Sequence, residues 1–314
     1  MKNIEKVTKV INTCNDIYDD IIVTDIKSLV SDLDKIKIGV RTNLKVIGED
    51  VTFDFLLDIK DCDKLLCLGS GAYSHDILYD ETIPHQLLVD YISIPKFDRH
   101  AWKFKYSVIW YNDSTRYLMK DDIISAGWNI GTDKDWHLNT VGKVIKMICE
   151  HFGYVNDNVL YYGSSLGGFM SIMLATMNRG RFIADCPQLD LEKWLYIPKH
   201  LNSFEKLFGG QKMENVFKKY PHRFKVIEYL KKCKYIPDGV INITVNDNDI
   251  KTQYVPFLNS LSELYKIFKN VTTNYIKVNI LLSLNHTFLR EPDAMKMIDD
   301  VFENTLSKNY RNVY

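Results

Sequence analysis

The feature that most constrains this 314-residue chain is a small-residue turn at positions 163–168, GSSLGG. It follows the apolar run NVLYY at residues 158–162, which has the length of a strand, and it precedes an apolar stretch at residues 166–177 that predicts a helix. The turn fits the pattern G-x-S-x-G with Ser165 at its centre. Between a strand and a helix, flanking glycines permit a tight turn that holds a serine hydroxyl above the sheet. Ser165 is therefore the predicted nucleophile, and the alternative is a turn that only packs a helix on a strand.

Short apolar runs alternate with helical periodicity along most of the chain, which predicts a mostly parallel sheet with helices on both faces. An aromatic-rich insertion at about residues 191–238 predicts a small helical cap. Residues 1–42 are predicted to form an N-terminal arm or extension with one amphipathic helix and one strand, and residues 43–314 the main domain. The predicted strands lie in residues 43–58 (two strands), 64–68, 106–111, 158–162, 182–184, 240–245 and 276–284, and predicted helices in 138–152, 166–177 and 293–306.

A serine becomes a useful nucleophile when a base takes its proton and a carboxylate orients that base. His286 follows the last predicted strand, where a loop at the carboxyl end of the sheet reaches towards Ser165, so it is the candidate base. Asp249 follows the penultimate strand and is the favoured acid, with Asp247 as the alternative. Further candidate acids follow the preceding strand, at Asp185 and Asp190.

Acyl transfer also needs two donors for the oxyanion of its tetrahedral intermediate. The backbone amide of Leu166, directly after the nucleophile, is one candidate. The other is expected in the small-residue loop 69–73, GSGAY, with the amide of Ala72 favoured. This loop matches neither of the glycine-rich nucleotide-binding motifs, so no nucleotide cofactor is predicted.

Composition excludes several classes of protein. The chain has 40 Lys+Arg and 40 Asp+Glu, so it carries no net charge that would favour a nucleic acid or an acidic membrane surface. Its six cysteines show no metal-ligand spacing, and no metal or other cofactor is predicted. We expect no membrane span and no signal peptide, and a cytoplasmic location follows as a prediction. The oligomeric state is left open.

The motif around Ser165, with Asp249 and the pair Asn285-His286, resembles the α/β-hydrolase superfamily from about residue 43 to the C-terminus. Three further stretches, FDR at 97–99, GWNIG at 127–131 and PQLD at 187–190, loosely resemble hydrolase-like proteins of bacterial surface-glycan and capsule gene clusters. Some of those proteins are related to glycan O-acetyltransferases. The loop with Ser70-Gly71 departs from ordinary esterases, which carry a His-Gly pair there.

The resemblance implies a serine-dependent esterase or O-acyltransferase that acts on a small-molecule or glycan acyl substrate. Trp194 and Tyr196 in the cap are candidates for stacking on a sugar or an apolar group, although packing within the cap is the favoured explanation for them. Thioesterase or peptidase activity would use the same residues, and a thioesterase should show an elongated apolar tunnel. A non-catalytic binding protein on a hydrolase scaffold is the alternative from another class.

Overall fold

A computed structural model describes residues 2–195, 198–267 and 276–303 of the chain. The described residues form one sheet of nine strands, in the spatial order β1-β2-β3-β5-β4-β6-β7-β8-β9. Strand β3 runs antiparallel to both of its neighbours, and the other neighbouring pairs are parallel. The strands are β1 (Asp20–Asp25), β2 (Thr42–Ile47), β3 (Thr52–Asp58), β4 (Leu65–Gly69), β5 (Ser107–Tyr111), β6 (Val159–Ser164), β7 (Arg181–Asp185), β8 (Gly239–Thr244) and β9 (Ile276–Leu281).

Helices connect the strands and cover the sheet. In chain order they are α1 (Lys2–Thr13), α2 (Leu29–Leu33), α3 (His75–Leu78), α4 (His85–Ile92), α5 (His137–Phe152), α6 (Leu166–Asn178), α7 (Leu191–Trp194), α8 (Pro198–Leu207), α9 (Met213–Lys219), α10 (Pro221–Phe224), α11 (Val226–Cys233), α12 (Asp247–Asp249), α13 (Val255–Ile267) and α14 (Glu291–Phe302). Short 3₁₀ segments occupy Ser114–Asp122 and Asn156–Asn158, and a π-helical turn at Ile250–Tyr254 joins α12 to α13.

The central strands are buried on both faces, which explains why their sequences are continuous apolar runs rather than alternating ones. In β4, Leu65 and Cys67 belong to the core that contains α5 and α6. Leu66 and Leu68 point to the opposite face and belong to a second core with Ile298 of α14. The predicted mostly parallel sheet with helices on both faces is confirmed.

Most predicted elements end within two residues of the observed ones, because apolar run length and turn residues mark them clearly. Two C-terminal boundaries differ. Strand β9 ends at Leu281 instead of residue 284, and Leu282 and Leu284 are largely exposed beyond it. The apolar run of residues 276–284 therefore continues beyond the end of the strand. The last helix, predicted over residues 293–306, is α14 at Glu291–Phe302, and residues 304–306 of the prediction lie outside the described residues.

Two predicted boundaries concern domain organisation. Strand β1 pairs in parallel with β2 along six residues, so part of the segment 1–42 extends the central sheet. Helices α7 to α11 lie in the segment 191–238, and α11 packs against α6. Phe204, Phe224 and Leu230 of this segment join the same core as α5 and α6. The division into an arm, a main domain and a cap stays a prediction.

Candidate active site

Ser165 sits in a strained turn between β6 and α6. Its backbone has φ 53° and ψ −114°, which a residue with a side chain rarely adopts and which costs about 1–3 kcal/mol. A Cβ on Gly163 would lie 2.3 Å from the backbone of Gly167, and a Cβ on Gly167 would lie 2.9 Å from the carbonyl oxygen of Gly69. The turn therefore requires both glycines, and the surrounding packing maintains the conformation of the serine.

The hydroxyl of Ser165 is held by a side chain that the sequence analysis did not select. Gln188 Nε2 donates to Ser165 Oγ at 3.0 Å. Trp128 Nε1 in turn donates to Gln188 Oε1 at 2.6 Å, which fixes the orientation of the amide. All three side chains are buried, with Ser165 9% exposed at the floor of a cavity. No hydrogen bond joins Ser165 to His286.

His286 and Asp249 lie together. His286 Nδ1 is 3.0 Å from Asp249 Oδ2, and the carboxylate is buried. A neutral imidazole that donates from Nδ1 keeps Nε2 as an acceptor, and His286 Nε2 is buried without a hydrogen-bond partner in the described part of the chain. Asn246 joins the two loops, since its Oδ1 accepts from the amide of Asp249 at 3.0 Å and its Nδ2 donates to the carbonyl of Leu284 at 2.9 Å.

The other candidate acids are engaged elsewhere. Asp247 is largely exposed and pairs with Lys251 at 2.6 Å. Asp185 is buried and accepts from the hydroxyl of Tyr162 at 2.7 Å. Asp190 caps the N-terminus of α7 by accepting from the amide of Glu192 at 3.0 Å. The structure thus places Asp249, rather than the other three aspartates, against His286.

Ser165 and His286 line one cavity of about 610 Å³. Trp194 lies in its wall, with its ring centroid 6.0 Å from that of His286. Tyr196, the other predicted stacking residue, lies outside the described residues. The remaining aromatic lining comes from Trp102, Trp128 and Phe288. The cavity therefore combines polar groups around the serine with flat apolar walls.

The loop 69–73 borders the same cavity and has one free amide. The amides of Ser70, Gly71 and Tyr73 donate to the Tyr111 carbonyl, Asp98 Oδ2 and the Ser125 carbonyl, at 3.3, 2.5 and 2.9 Å respectively. Within the described ranges, the amide of Ala72 donates no hydrogen bond. An oxyanion donor needs such an available amide next to the nucleophile.

Lys96 and Asp98, which also line the cavity, hold this loop in place. Lys96 Nζ donates to the carbonyls of Gly71 and Ala72 at 3.2 and 2.9 Å, and it pairs with Asp98 at 2.9 Å. Burial raises the pKa of Asp98, but the charge and hydrogen bond of Lys96 and the Gly71 amide outweigh it, so that the pKa is below the usual range. An ionised Asp98 keeps the loop in place.

Leu166, the other predicted oxyanion donor, is the first residue of α6. Amides of a first helical turn have no acceptor within their own helix, and the helix dipole concentrates positive potential there. Leu166 directly follows Ser165 at the start of α6, so its amide remains the second candidate donor.

Four residues near the serine received no role from the sequence: Asp98, Arg99, Trp128 and Gln188. All four line the cavity, and they belong to the three stretches that carry the looser resemblance. Their positions in loops gave a weak signal, because a loop sequence does not reveal which distant loop it meets.

The described residues contain no cluster of three or more His, Cys, Asp or Glu side chains arranged to hold a metal ion. In the same part of the chain, no helix has the length and apolar character required to cross a membrane.

No family model matches the sequence, and no curated protein matches it. Two structures of the capsule O-acetyltransferase of Neisseria meningitidis serogroup A are similar to the chain. The complex with caged gadolinium is 14% identical, covers 83% of this chain and 91% of its own, and has a TM-score of 0.53. The second is 15% identical, covers 81% and 90%, and has a TM-score of 0.51.

These matches, the strand order and the serine turn together decide the architecture. The chain has the α/β-hydrolase fold. The S-formylglutathione hydrolase from Agrobacterium tumefaciens is also similar, at 12% identity over 89% of this chain and 98% of its own, with a TM-score of 0.47. In the α/β-hydrolase fold, Ser165 lies at the turn after β6, and the loops after β8 and β9 carry Asp249 and His286. The predicted resemblance in fold is confirmed.

Proposed function

We propose that this protein is a serine-dependent acyl-transfer enzyme, an esterase or an O-acyltransferase, that works through an acyl-enzyme on Ser165. One observation carries the proposal: the strained Ser165 and the Asp249-bound His286 line the same cavity. A strained backbone at a serine is a cost to stability that a purely structural turn does not need.

In the first half of the reaction, Ser165 Oγ attacks the carbonyl carbon of an ester. His286 Nε2 takes the hydroxyl proton, and Asp249 stabilises the imidazolium through Nδ1. In this structure Ser165 Oγ accepts a hydrogen bond from Gln188. The reaction therefore requires the serine side chain to rotate about its Cα–Cβ bond so that Oγ faces His286. The unpaired Nε2 is available as the acceptor at the end of that movement.

The oxyanion that forms on the carbonyl oxygen is stabilised by the amides of Leu166 and Ala72. The Leu166 amide is fixed by α6, and the Ala72 amide lies in the loop held by the Lys96–Asp98 pair. Both donors therefore need little reorganisation as charge develops. The positive end of the α6 dipole adds to this stabilisation.

When the tetrahedral intermediate collapses, the bond to the leaving oxygen breaks and His286 gives its proton to that oxygen. A water molecule or an acceptor hydroxyl then loses a proton to His286 and attacks the acyl-serine. Collapse of this second intermediate returns the proton to Ser165 and releases the acid or the new ester. The acceptor therefore decides between hydrolysis and transfer.

The substrate that fits the proposal is a small-molecule or glycan acyl ester. The aromatic walls at Trp194, Trp102 and Phe288 suit the flat apolar face of a sugar ring. The fold likeness to a capsule O-acetyltransferase supports a role in surface-polysaccharide metabolism. We place this activity in the cytoplasm as part of the same proposal.

The test is a pre-steady-state measurement of p-nitrophenyl acetate cleavage. The wild type should release a burst of about one p-nitrophenol per protein, because acylation of Ser165 releases p-nitrophenol faster than deacylation regenerates the free serine. Ser165→Ala should abolish the burst. Ser171→Ala is the matched control, because Ser171 is buried in α6, donates its hydroxyl to the Gly167 carbonyl and does not line the cavity that contains Ser165. A burst that persists in Ser165→Ala contradicts the proposal.

A non-catalytic binding protein on the same scaffold is the second candidate. It is favoured by the hydrogen bond of Ser165 Oγ to Gln188, since no hydrogen bond links the serine to His286. Under that alternative, a folded wild-type protein releases no burst with p-nitrophenyl acetate and takes up no acyl group from any donor.

A further inference from the structure

Arg99 lines the cavity immediately beside the serine turn. It belongs to the loop between α4 and β5, and its Nη2 donates to Ser164 Oγ at 2.5 Å. Ser164 and Ser165 are adjacent in the chain and line the same cavity. The guanidinium of Arg99 therefore lies within the same cavity as the hydroxyl of Ser165.

Two aromatic rings fix the orientation of this guanidinium. Arg99 Cζ lies 4.9 Å from the ring centroid of Tyr162 and 5.3 Å from that of Trp102. The backbone of Arg99 has φ 63°, in the left-handed region that arginine seldom adopts. A stacked, preoriented guanidinium presents its N–H groups in a fixed fork, which matches the oxygens of a carboxylate or a phosphate.

Arg99 forms no ion pair within the described residues, although its charge acts at longer range on the carboxylates of Asp98 and Asp185. Its cavity neighbours Lys96 and Asp98 pair with each other at 2.9 Å. Among the described side chains, no carboxylate lies within 4.0 Å of the Arg99 guanidinium. Two further carboxylates hydrogen-bond to other groups: Asp185 accepts from the Tyr162 hydroxyl, and Asp249 pairs with His286 Nδ1. The cavity therefore holds, close to Ser165, a guanidinium that no described carboxylate contacts directly.

Building on the proposed function, we infer that Arg99 binds an anionic group of the substrate, a carboxylate or a phosphate, next to the acyl ester. The substrate class is then an acyl ester that is itself acidic, either in its acyl part or in the alcohol or sugar that carries it. An arginine that served only to hold Ser164 would need neither the opening to the cavity nor the two stacked rings.

The first test measures binding alone. Benzoate, phenyl phosphate and neutral benzyl alcohol are titrated into wild type, Arg99→Ala, Arg99→Lys and Lys103→Ala. Lys103 is the matched control, because it is an exposed cation four residues away that does not line the cavity. Circular dichroism confirms that each variant is folded.

We expect Arg99→Ala to raise the ratio of anion to alcohol dissociation constants by about 10- to 100-fold, the usual range for a hydrogen bond to a charged group. Arg99→Lys should retain part of the preference, since it keeps the charge but not the fork. Lys103→Ala should keep the wild-type ratio. An Arg99→Ala protein that binds both anions as the wild type does would overturn the inference.

The second test locates the anion relative to the ester. Phenyl acetate is compared with phenyl hemisuccinate, which has its carboxylate in the acyl part, and with 4-acetoxyphenyl phosphate, which has its anion in the leaving group. If Arg99→Ala loses the kcat/KM preference for one acidic ester over phenyl acetate, the inference is supported. The ester affected then shows whether the anion belongs to the acyl part or to the leaving group. Equal losses for all three esters contradict it. If no ester is cleaved but anion binding still depends on Arg99, the proposed function fails and the anion site stands.

Discussion

Gln188 Nε2 donates a hydrogen bond to Ser165 Oγ at 3.0 Å, and Trp128 Nε1 fixes the amide by donating to Gln188 Oε1 at 2.6 Å. The donor from Trp128 determines which end of the amide faces the serine. The resting hydroxyl therefore has a defined partner other than His286, and this chain of three buried side chains joins the serine turn to the loop 127–131.

Gln188 and Trp128 should behave as one unit. Gln188→Ala removes the bond to the serine and leaves Trp128 Nε1 buried without an acceptor, so we expect a loss of about 1–3 kcal/mol in the free energy of unfolding. Trp128→Phe removes the donor that orients the amide. Chemical denaturation of both single variants and the double variant measures the coupling, and the double variant should lose less than the sum. Strict additivity would show that the two side chains act independently.

Asp249→Asn should lower kcat/KM for a neutral ester by about 10³- to 10⁴-fold with little effect on folding, because the amide favours the wrong tautomer of His286. Asp247→Asn is the matched control, since Asp247 is largely exposed and pairs only with Lys251 among the described residues. Steady-state kinetics of both variants decide between the two aspartates. A larger loss of kcat/KM in Asp247→Asn than in Asp249→Asn would show that Asp247, rather than Asp249, orients His286.

Most strands of the sheet could be predicted from the sequence, because the signals that mark them are local. Runs such as the KLLCL of β4 and the YSVIWY around β5 have the length and the continuous apolar character typical of buried strands, and the glycines around Ser165 mark a turn that few other residues permit. The same local logic predicted which loops carry Asp249 and His286, since loops at the carboxyl ends of parallel strands lie at one edge of a sheet.

The rest of the cavity depends on contacts between distant loops, and nothing local encodes them. Gln188 meets Trp128 across 60 positions, and Arg99 meets Ser164 across 65. The antiparallel placement of β3 between β2 and β5 likewise follows from pairing rather than from composition. The sequence drew attention to the stretches that contain Arg99, Trp128 and Gln188, but without a role for any of them.

The Lys96–Asp98 pair should control the loop 69–73, whose Ala72 amide is a proposed oxyanion donor. Asp98→Asn loses the ion pair to Lys96 and weakens the bond to the Gly71 amide, so the Ala72 amide is no longer held in position. We expect kcat/KM for a neutral ester to fall about 10- to 100-fold, somewhat less than the loss of a whole oxyanion donor. Asp90→Asn, on the exposed surface of α4, should leave ester kinetics unchanged. Normal kinetics in Asp98→Asn would exclude a role of the loop in catalysis.

Buried His137 should make stability depend on pH. Burial, with a smaller contribution from the charge of Arg223, lowers the pKa of His137 to about 4. Between pH about 6.5 and 4 the unfolded chain binds a proton at this position and the folded chain does not, so the free energy of unfolding falls as pH falls, by up to about 1.4 kcal/mol per pH unit. Urea denaturation across this range should give a shallower slope for His137→Gln than for the wild type. Equal slopes would contradict the assignment.

The central claim is that Ser165 is an activated nucleophile, and reaction with a fluorophosphonate probe tests it most directly. Intact-protein mass spectrometry should show one phosphonyl group on the wild type, and peptide mapping should place it on Ser165. Labelling should be absent from Ser165→Ala and strongly slowed in His286→Ala, which keeps the serine but lacks the base. A folded wild-type protein that takes up no probe, or that takes it up equally in Ser165→Ala, would contradict the account.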